Sequence, residues 1–264
     1  MIKTTGKTKN NVWPLNMGYE KMNRSITLDR EYNTVFFDFG DTLAFTNQSF
    51  PESLHKILRS LGIDIHPDEL RSAIAKADYG DLREERLRMR DKSEYINFRI
   101  KYYRTVLNLI GYMKMESHAE YIQKVIGYYH KSYVKPEALV TLDILRKNGY
   151  KLGIVSNFSH ALPWICDELG ITEKVDFITY SDDIGSEKPE PHIFYDALMK
   201  ANAKPNEVIH IGDSYGADCV GAKAVGITPI LVGDHKEKGF EDCLCIENLL
   251  EILNLLHINF TEEL

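Results

Sequence analysis

Short apolar runs rich in Val and Ile recur along this chain of 264 residues, and they constrain its fold more than any other feature. They cover residues 34–38, 151–156, 175–180, 208–212 and 228–232. Segments of helical length separate the last four runs, and several of these segments open with proline and close with glycine. Continuous apolar runs that alternate with helices are typical of buried parallel strands. The sequence therefore predicts an α/β fold, a parallel sheet with helices on both faces.

The alternation stops between the first run and the second. Residues 49–134 contain several helical stretches and no segment that we predict to be a strand, so we expect an inserted helical domain there. The rest of the sheet domain then comprises residues 31–48 and 135–264, and residues 1–30 form a polar N-terminal extension. The insertion is rich in tyrosine, which we interpret as aromatic packing among its helices.

Composition narrows the possible partners. The chain has 32 basic and 39 acidic residues, a formal charge of -7, and its basic residues do not collect in one tract, so we expect no nucleic-acid partner. We also expect no membrane partner, because the longest apolar stretch near the C-terminus is too short to span a bilayer and the N-terminus lacks the apolar region of a secretory leader. Cys166, Cys219, Cys243 and Cys245 form no CxxC pair, which favours reduced core thiols and a cytoplasmic location.

Polar side chains follow the predicted strands at the point where each strand ends. Ligands of an open parallel sheet bind outside the carboxyl ends of its strands, so the residues at these ends should meet. They are Asp38 after the first run, Ser156 and Asn157 after the second, Lys188 after the third, and Asp213 with Asp218 after the fourth.

This combination of side chains suits the transfer of a phosphoryl group. One carboxylate can attack phosphorus and hold the group as an acyl phosphate. A second carboxylate beside the first would be repelled unless a cation lies between them, and oxygen ligands without a His or Cys cluster select magnesium (Mg²⁺). The metal, the lysine and the serine would then stabilise the phosphate oxygens.

Four motifs resemble those of the haloacid dehalogenase-like (HAD) hydrolase superfamily: FFDFGDTL, IVSN, EKPEPHIF and IHIGDSYGADCVGAKAVG. The resemblance covers residues 32–235 and implies a Rossmann-like doubly wound core with an inserted α-helical cap, the helical-cap class (subfamily I). It also implies that Asp38 is the nucleophile and that Ser156, Asn157 and Lys188 bind phosphate. Magnesium would be held by Asp38, Asp213 and the carbonyl of Gly40. Asp218 would lie outside these ligands and orient the first carboxylate.

Gly40 departs from the pattern of the phosphatases in this superfamily. They usually carry an aspartate two residues after the nucleophile, which serves as acid toward the leaving group and then as base for water. Glycine cannot transfer a proton, and general acid–base catalysis is typically worth about 10²–10⁴-fold. Asp41 is one position further on, and in an extended backbone its side chain should face away from that of residue 40.

The predicted function is a magnesium-dependent phosphohydrolase that acts on a small phosphorylated metabolite through an aspartyl-phosphate intermediate. One alternative is a 2-haloacid dehalogenase-like hydrolase, because that branch also lacks the second aspartate and keeps Ser-Asn in its second motif. Another is a catalytically weak binding or regulatory protein of the same fold. Arg83, Arg86 and His55 could reach a substrate anion, but we interpret them as charge on solvated helix surfaces.

Overall fold

The computed structural model describes residues 28, 31–80, 82–89, 91–112, 116–235, 240 and 242–259, so nearly all of the predicted extension over residues 1–30 lies outside the described residues. The strands are β1 Thr34–Phe37, β2 Ala44–Thr46, β3 Ser132–Val134, β4 Lys151–Ser156, β5 Phe177–Tyr180, β6 Val208–Gly212, β7 Thr228–Val232 and β8 Leu244–Ile246. The α-helices are α1 Phe50–Ser60, α2 Pro67–Tyr79, α3 Leu82–Arg88, α4 Lys92–Leu109, α5 Glu116–Tyr129, α6 Pro136–Lys147, α7 Leu162–Glu168, α8 Ser181–Ile184, α9 Pro191–Ala201, α10 Gly221–Ala224 and α11 Glu251–Leu255.

The main sheet has six strands in the order β5-β4-β1-β6-β7-β8, and every neighbouring pair is parallel. Numbered by their place along the chain within this sheet, the strands run in the doubly wound order of a Rossmann-like fold. The predicted fold class is thus confirmed, although the edge strand β8 was not predicted. The order reverses between β1 and β6, which is where such sheets bind ligands.

Strand β1 is central and all of its residues are buried. Val35 and Phe37 join a cluster on one face of the sheet that includes residues of α6, α7 and α11. Phe36 joins a second cluster on the opposite face, with residues of α9 and α10. Since successive side chains of a strand point to opposite faces, this continuous apolar run is what allows helices to cover both sides.

Helices α1 to α5, which we call the helical insertion (residues 50–129), pack around a hydrophobic cluster of their own. The short antiparallel strands β2 and β3 form a two-stranded sheet at the base of the insertion. Strand β3 corrects the prediction that residues 49–134 contain no strand. Strand β3 has three residues and pairs with the equally short β2. A run of this length is too short to show the alternation of apolar and polar side chains that predicts a strand.

Two of the four cysteines also differ from the prediction of reduced thiols. Cys219 and Cys243 form a disulfide, with their Cα atoms 6.7 Å apart, whereas Cys166 and Cys245 are free. The pairing depends on the close approach of the π-helical turn Tyr215–Val220 to the segment before β8, which spacing along the chain does not reveal. Within the described residues, no helix is both long enough and apolar enough to cross a membrane.

Candidate active site

A buried lysine joins two carboxylates at the reversal point of the sheet. Lys188 Nζ donates to Asp38 Oδ1 at 2.7 Å and to Asp218 Oδ1 at 2.6 Å. Burial alone would lower the pKa of Lys188, but the negative charges of Asp38 and Asp218 raise it above its ordinary value. The lysine is therefore a fixed positive charge at the carboxyl end of β1.

The loops after β4 and after β5 hold this lysine in place. The Asn157 side chain accepts from the backbone N–H of Lys188 at 2.6 Å and donates to its carbonyl at 2.9 Å. Ser156, the last residue of β4, is 2% exposed. The predicted pair Ser156-Asn157 thus combines a buried hydroxyl on the strand next to β1 with an amide that positions the lysine backbone.

Both carboxylate oxygens of Asp218 accept hydrogen bonds from other groups of the protein. Besides Lys188, its carboxylate accepts from His210 Nε2 at 2.8 Å and from the Ser214 backbone N–H at 3.0 Å. Burial alone would raise the pKa of Asp218, but the hydrogen bond from His210 and the charge of Lys188 hold it far below its ordinary value. A Cβ on Gly212 would lie 2.1 Å from Asp218 Cγ, so the turn needs glycine there for the carboxylate to fit.

His210 was missed in the sequence analysis. It lies within β6 and is fully buried, and burial lowers its pKa, so the ring is neutral near pH 7. With Asp218 ionised, Nε2 carries the proton and donates it. The signal that could have identified it is a single histidine inside an apolar strand two residues before the GD pair.

The carboxylates of Asp38, Asp213 and Asp218 each place one oxygen within 4.8 Å of the others. Burial, followed by the negative charge of Asp38, raises the pKa of Asp213 from 3.8 to about 6. Carboxylates crowded together in this way fit a divalent metal, which would relieve their repulsion. Asp38 and Asp213 have oxygens available for such an ion, whereas both oxygens of Asp218 already accept hydrogen bonds.

The turn after Asp38 differs from the extended backbone that we assumed. Asp41 has a φ of 51°, in the left-handed region, and its negative charge contributes to raising the pKa of Asp213. The Asp41 carbonyl accepts from Lys135 Nζ. A Cβ on Gly40 would meet no heavy atom within 4 Å, so the position has room for a side chain that the sequence does not supply.

The three basic residues that we interpreted as solvated surface charge lie in different surroundings. Arg86 differs from the prediction, because its guanidinium Nε lies 3.1 Å from Oδ1 of buried Asp182 in α8. Burial raises the pKa of Asp182, and the charge of Arg86 opposes this. Arg83 is exposed, as expected, and both arginines line a cleft between the helical insertion and the sheet domain. His55 lies elsewhere, with Nε2 3.0 Å from the Ile65 carbonyl.

A family profile described as haloacid dehalogenase-like hydrolase matches residues 32–226. This range covers most of the chain, and the chain belongs to that family. It is 39% identical over 121 residues to haloacid dehalogenase-like hydrolase domain-containing protein 3 of Mus musculus, a match that covers 45% of this chain and 48% of the mouse protein. The chain thus spans about half the length of that curated relative.

Relatives named as phosphatases match as well. The glyceraldehyde 3-phosphate phosphatase of Methanopyrus kandleri is 28% identical over 218 residues, which cover 78% of this chain and 86% of that protein. Among solved structures, a HAD phosphatase from Thermococcus onnurineus has a TM-score of 0.58 and 25% identity, over 85% of this chain and 97% of its own. A 2-haloacid dehalogenase from Pseudomonas syringae has a TM-score of 0.66 and 22% identity. The match covers 86% of this chain and 98% of that chain, and it shows the shared fold. These matches agree with the place of the chain in the haloacid dehalogenase-like hydrolase family.

Proposed function

We propose that this protein is a magnesium-dependent phosphohydrolase that acts on a small phosphorylated metabolite through an aspartyl-phosphate intermediate. The observation that carries the proposal is the position of Lys188, whose Nζ contacts Asp38 and Asp218 in a buried site beside Asp213. The names of relatives such as the glyceraldehyde 3-phosphate phosphatase of Methanopyrus kandleri support the same substrate class.

Asp38 is the proposed nucleophile. Lys188 contacts its Oδ1, which leaves Oδ2 to form a bond to phosphorus while the bond from phosphorus to the leaving oxygen breaks. Lys188 and the hydroxyl of Ser156 would hold the phosphoryl oxygens as charge moves onto them. Water would then cleave the acyl phosphate, which releases phosphate and restores the carboxylate.

Asp38, Asp213 and the carbonyl of Gly40 are the proposed metal ligands. Magnesium bound there would neutralise charge on the phosphoryl oxygens. Asp218 would act on the site indirectly, because it fixes the position of Lys188 through a 2.6 Å hydrogen bond. The helical insertion would serve as the cap that covers the substrate.

Gly40 sets a limit on the substrates. No side chain at this position can protonate the leaving oxygen, so we expect preference for leaving groups that depart as stable anions, such as the carboxylate of an acyl phosphate. Alternatively, water or a residue of the insertion supplies the proton. The same glycine favours the second candidate, a 2-haloacid dehalogenase-like hydrolase, since that branch also lacks the aspartate. However, Asp38 and Asp213 are suited to hold a metal ion together, and this favours phosphate chemistry over dehalogenation.

Asp38→Asn tests the proposal most directly. With magnesium present, we expect the wild type to release phosphate from a panel of phosphate monoesters and acyl phosphates. The variant should lose this activity by on the order of 10³-fold or more, because the amide is a poor nucleophile. Phosphate release measured by a colorimetric assay gives the result.

The control is Asp167→Asn, which removes an exposed carboxylate of α7 outside the site and should leave turnover unchanged. An inactive wild type on the whole panel that nevertheless dehalogenates a 2-haloacid in the presence of a chelator would falsify the proposal. A wild type inert toward every substrate that still binds a fluoride-type phosphate mimic with magnesium would favour the regulatory alternative.

A further inference from the structure

His210 is a fully buried histidine that the proposed mechanism does not use. It lies in β6, directly opposite Phe36 of β1, and its ring meets the ring of Phe194 edge to face at 5.2 Å between centroids. Phe36 and Phe194 belong to the hydrophobic cluster on that face of the sheet. An apolar side chain would suit these surroundings better, because burying a polar group is unfavourable unless it is hydrogen-bonded.

One of the two ring nitrogens of His210 offsets this cost. Nε2 donates to Asp218 Oδ1 at 2.8 Å. Nδ1 is also buried, but within the described residues it has no hydrogen-bond partner. An unpaired buried nitrogen is itself destabilising. The single hydrogen bond to Asp218 is therefore what distinguishes this histidine from an apolar residue of the same size.

That hydrogen bond shares its acceptor with the central lysine of the site. Asp218 Oδ1 accepts from His210 and, at 2.6 Å, from Lys188 Nζ, while Oδ2 accepts from the Ser214 backbone. Donors on both oxygens prevent the carboxylate from rotating. Lys188 Nζ also contacts Asp38 Oδ1, at 2.7 Å, so the lysine lies between two carboxylates that compete for it.

The donor from His210 weakens one side of this competition. An ionised oxygen that accepts from one donor holds it more strongly than an oxygen that accepts from two, so without His210 the ammonium of Lys188 would move toward Asp218 and away from Asp38. Because burial lowers its pKa, the ring of His210 is neutral near pH 7. It therefore supplies Asp218 with a donor and adds no second positive charge to the site.

We propose that His210 is a positioning residue for phosphoryl transfer. Through its hydrogen bond to Asp218, it keeps the ammonium of Lys188 beside Asp38, where the phosphoryl oxygens arrive. The assignment rests on the proposed phosphohydrolase function. His210 itself contacts neither the nucleophile nor the substrate, and it acts through Asp218 and Lys188 in turn.

The test compares His210→Leu with His210→Gln. Leucine suits the apolar surroundings but has no donor, whereas the glutamine amide can donate from near the position of Nε2. Phosphate release from acetyl phosphate and from p-nitrophenyl phosphate is measured with magnesium. We expect His210→Leu to lower kcat/KM for both substrates by about 10- to 100-fold, mainly through kcat, because Lys188 stabilises charge that develops on the phosphoryl oxygens.

His210→Gln should recover most of this loss and stay within about 5-fold of the wild type. A histidine that only fills space would give a different result, since leucine would then serve at least as well as glutamine. Unchanged activity in His210→Leu, or equal losses in both variants, overturns the inference and leaves the phosphohydrolase proposal standing. His210→Met repeats the measurements if the leucine variant does not fold.

Crystal structures of the wild type and the two variants test the inference without turnover. We expect Lys188 Nζ to stay within hydrogen-bond distance of Asp38 Oδ1 in the wild type and in His210→Gln. In His210→Leu the two atoms should lie more than about 3.5 Å apart. An unchanged contact in His210→Leu overturns the inference. If the wild type releases phosphate from neither substrate, the phosphohydrolase proposal fails, and these structures alone decide the role of His210.

Discussion

Gly40 is the residue where the proposed site departs from the motif pattern of the phosphatases in this superfamily. A Cβ at this position meets no heavy atom within 4 Å, and its φ is not in the left-handed region, so a side chain fits the observed backbone. We expect Gly40→Asp to raise kcat for alkyl phosphate esters by about 10²-fold, because the new carboxyl can protonate the leaving oxygen. Steady-state phosphate release measures the gain.

Gly40→Asn is the matched control, since it has the same shape but no transferable proton. A gain in both variants would assign the effect to packing. No gain in Gly40→Asp would mean that the acid already comes from another group, and the identity of that group would then be sought in the helical insertion.

Asp213 should make metal binding depend on pH. Its folded-state pKa of about 6 lies above the ordinary value of 3.8. Without a metal, the contribution of Asp213 to the free energy of unfolding is greatest at low pH and falls as pH rises through roughly 4 to 6. A bound cation requires the ionised form, so magnesium should stabilise the protein more at pH 7 than at pH 5.

Thermal unfolding with and without magnesium at these two pH values checks this prediction. In Asp213→Asn the shift caused by magnesium should be small at both pH values, because the variant lacks one of the proposed ligands. A wild-type shift that is as large at pH 5 as at pH 7 would contradict the prediction.

At the scale of elements, the π-helical turn Tyr215–Val220 carries both Asp218 and Cys219. The disulfide to Cys243 ties this turn to the segment before β8, and the stacked rings of Tyr215 and Phe240, 4.1 Å apart, reinforce the contact. The disulfide and the stacked rings therefore hold this turn in place from outside the site. The turn in turn fixes Asp218, whose carboxylate contacts Lys188.

Loss of this disulfide should lower both stability and activity. The bridge spans a sequence separation of 24. Closing a loop of that size in the unfolded chain is worth about 3 kcal/mol. We expect reductant to lower the midpoint of thermal unfolding of the wild type, and Cys243→Ser to have a low midpoint that reductant no longer changes. Cys245→Ser is the control and should behave like the wild type. If a thiol titration of the wild type instead detects all four cysteines as free thiols, the prediction is contradicted. That result would support the reduced state expected for a cytoplasmic protein.

At the scale of the whole molecule, the helical insertion and the sheet domain have separate hydrophobic clusters. Part of the contact between them is the tilted ring pair of Tyr95 in α4 and Trp164 in α7, with ring centroids 5.3 Å apart. Lys92 Nζ lies 5.7 Å from the same indole. These contacts lie beside the polar cleft, because Tyr95 also approaches Ser159, at 3.4 Å between their hydroxyl oxygens.

Trp164→Ala should loosen the insertion without unfolding either cluster. An aromatic pair is worth about 0.5–1.5 kcal/mol, so we expect KM to rise by about 2- to 12-fold, with kcat changed less. Tyr195→Ala removes an exposed ring of α9 and is the control. An unchanged KM in Trp164→Ala would show that this contact does not hold the insertion over the site.

The sequence by itself determined the parallel sheet with helices on both faces and the residue types of the site. Both follow from local patterns: continuous apolar runs mark buried parallel strands, and the residues that end them must share one edge. Asp38, Asn157, Lys188 and Asp218 were all identified in this way, and the structure brings them into contact.

Only the tertiary structure decided how those residues are connected. Lys188 and Asp38 are 150 positions apart, and no local pattern specifies that the lysine also contacts Asp218. The role of His210, the pairing of Cys219 with Cys243 and the cleft beside Asp182 likewise depend on how distant segments pack together. Strand periodicity is a property of neighbours in the chain, whereas the site and its cleft are properties of neighbours in space.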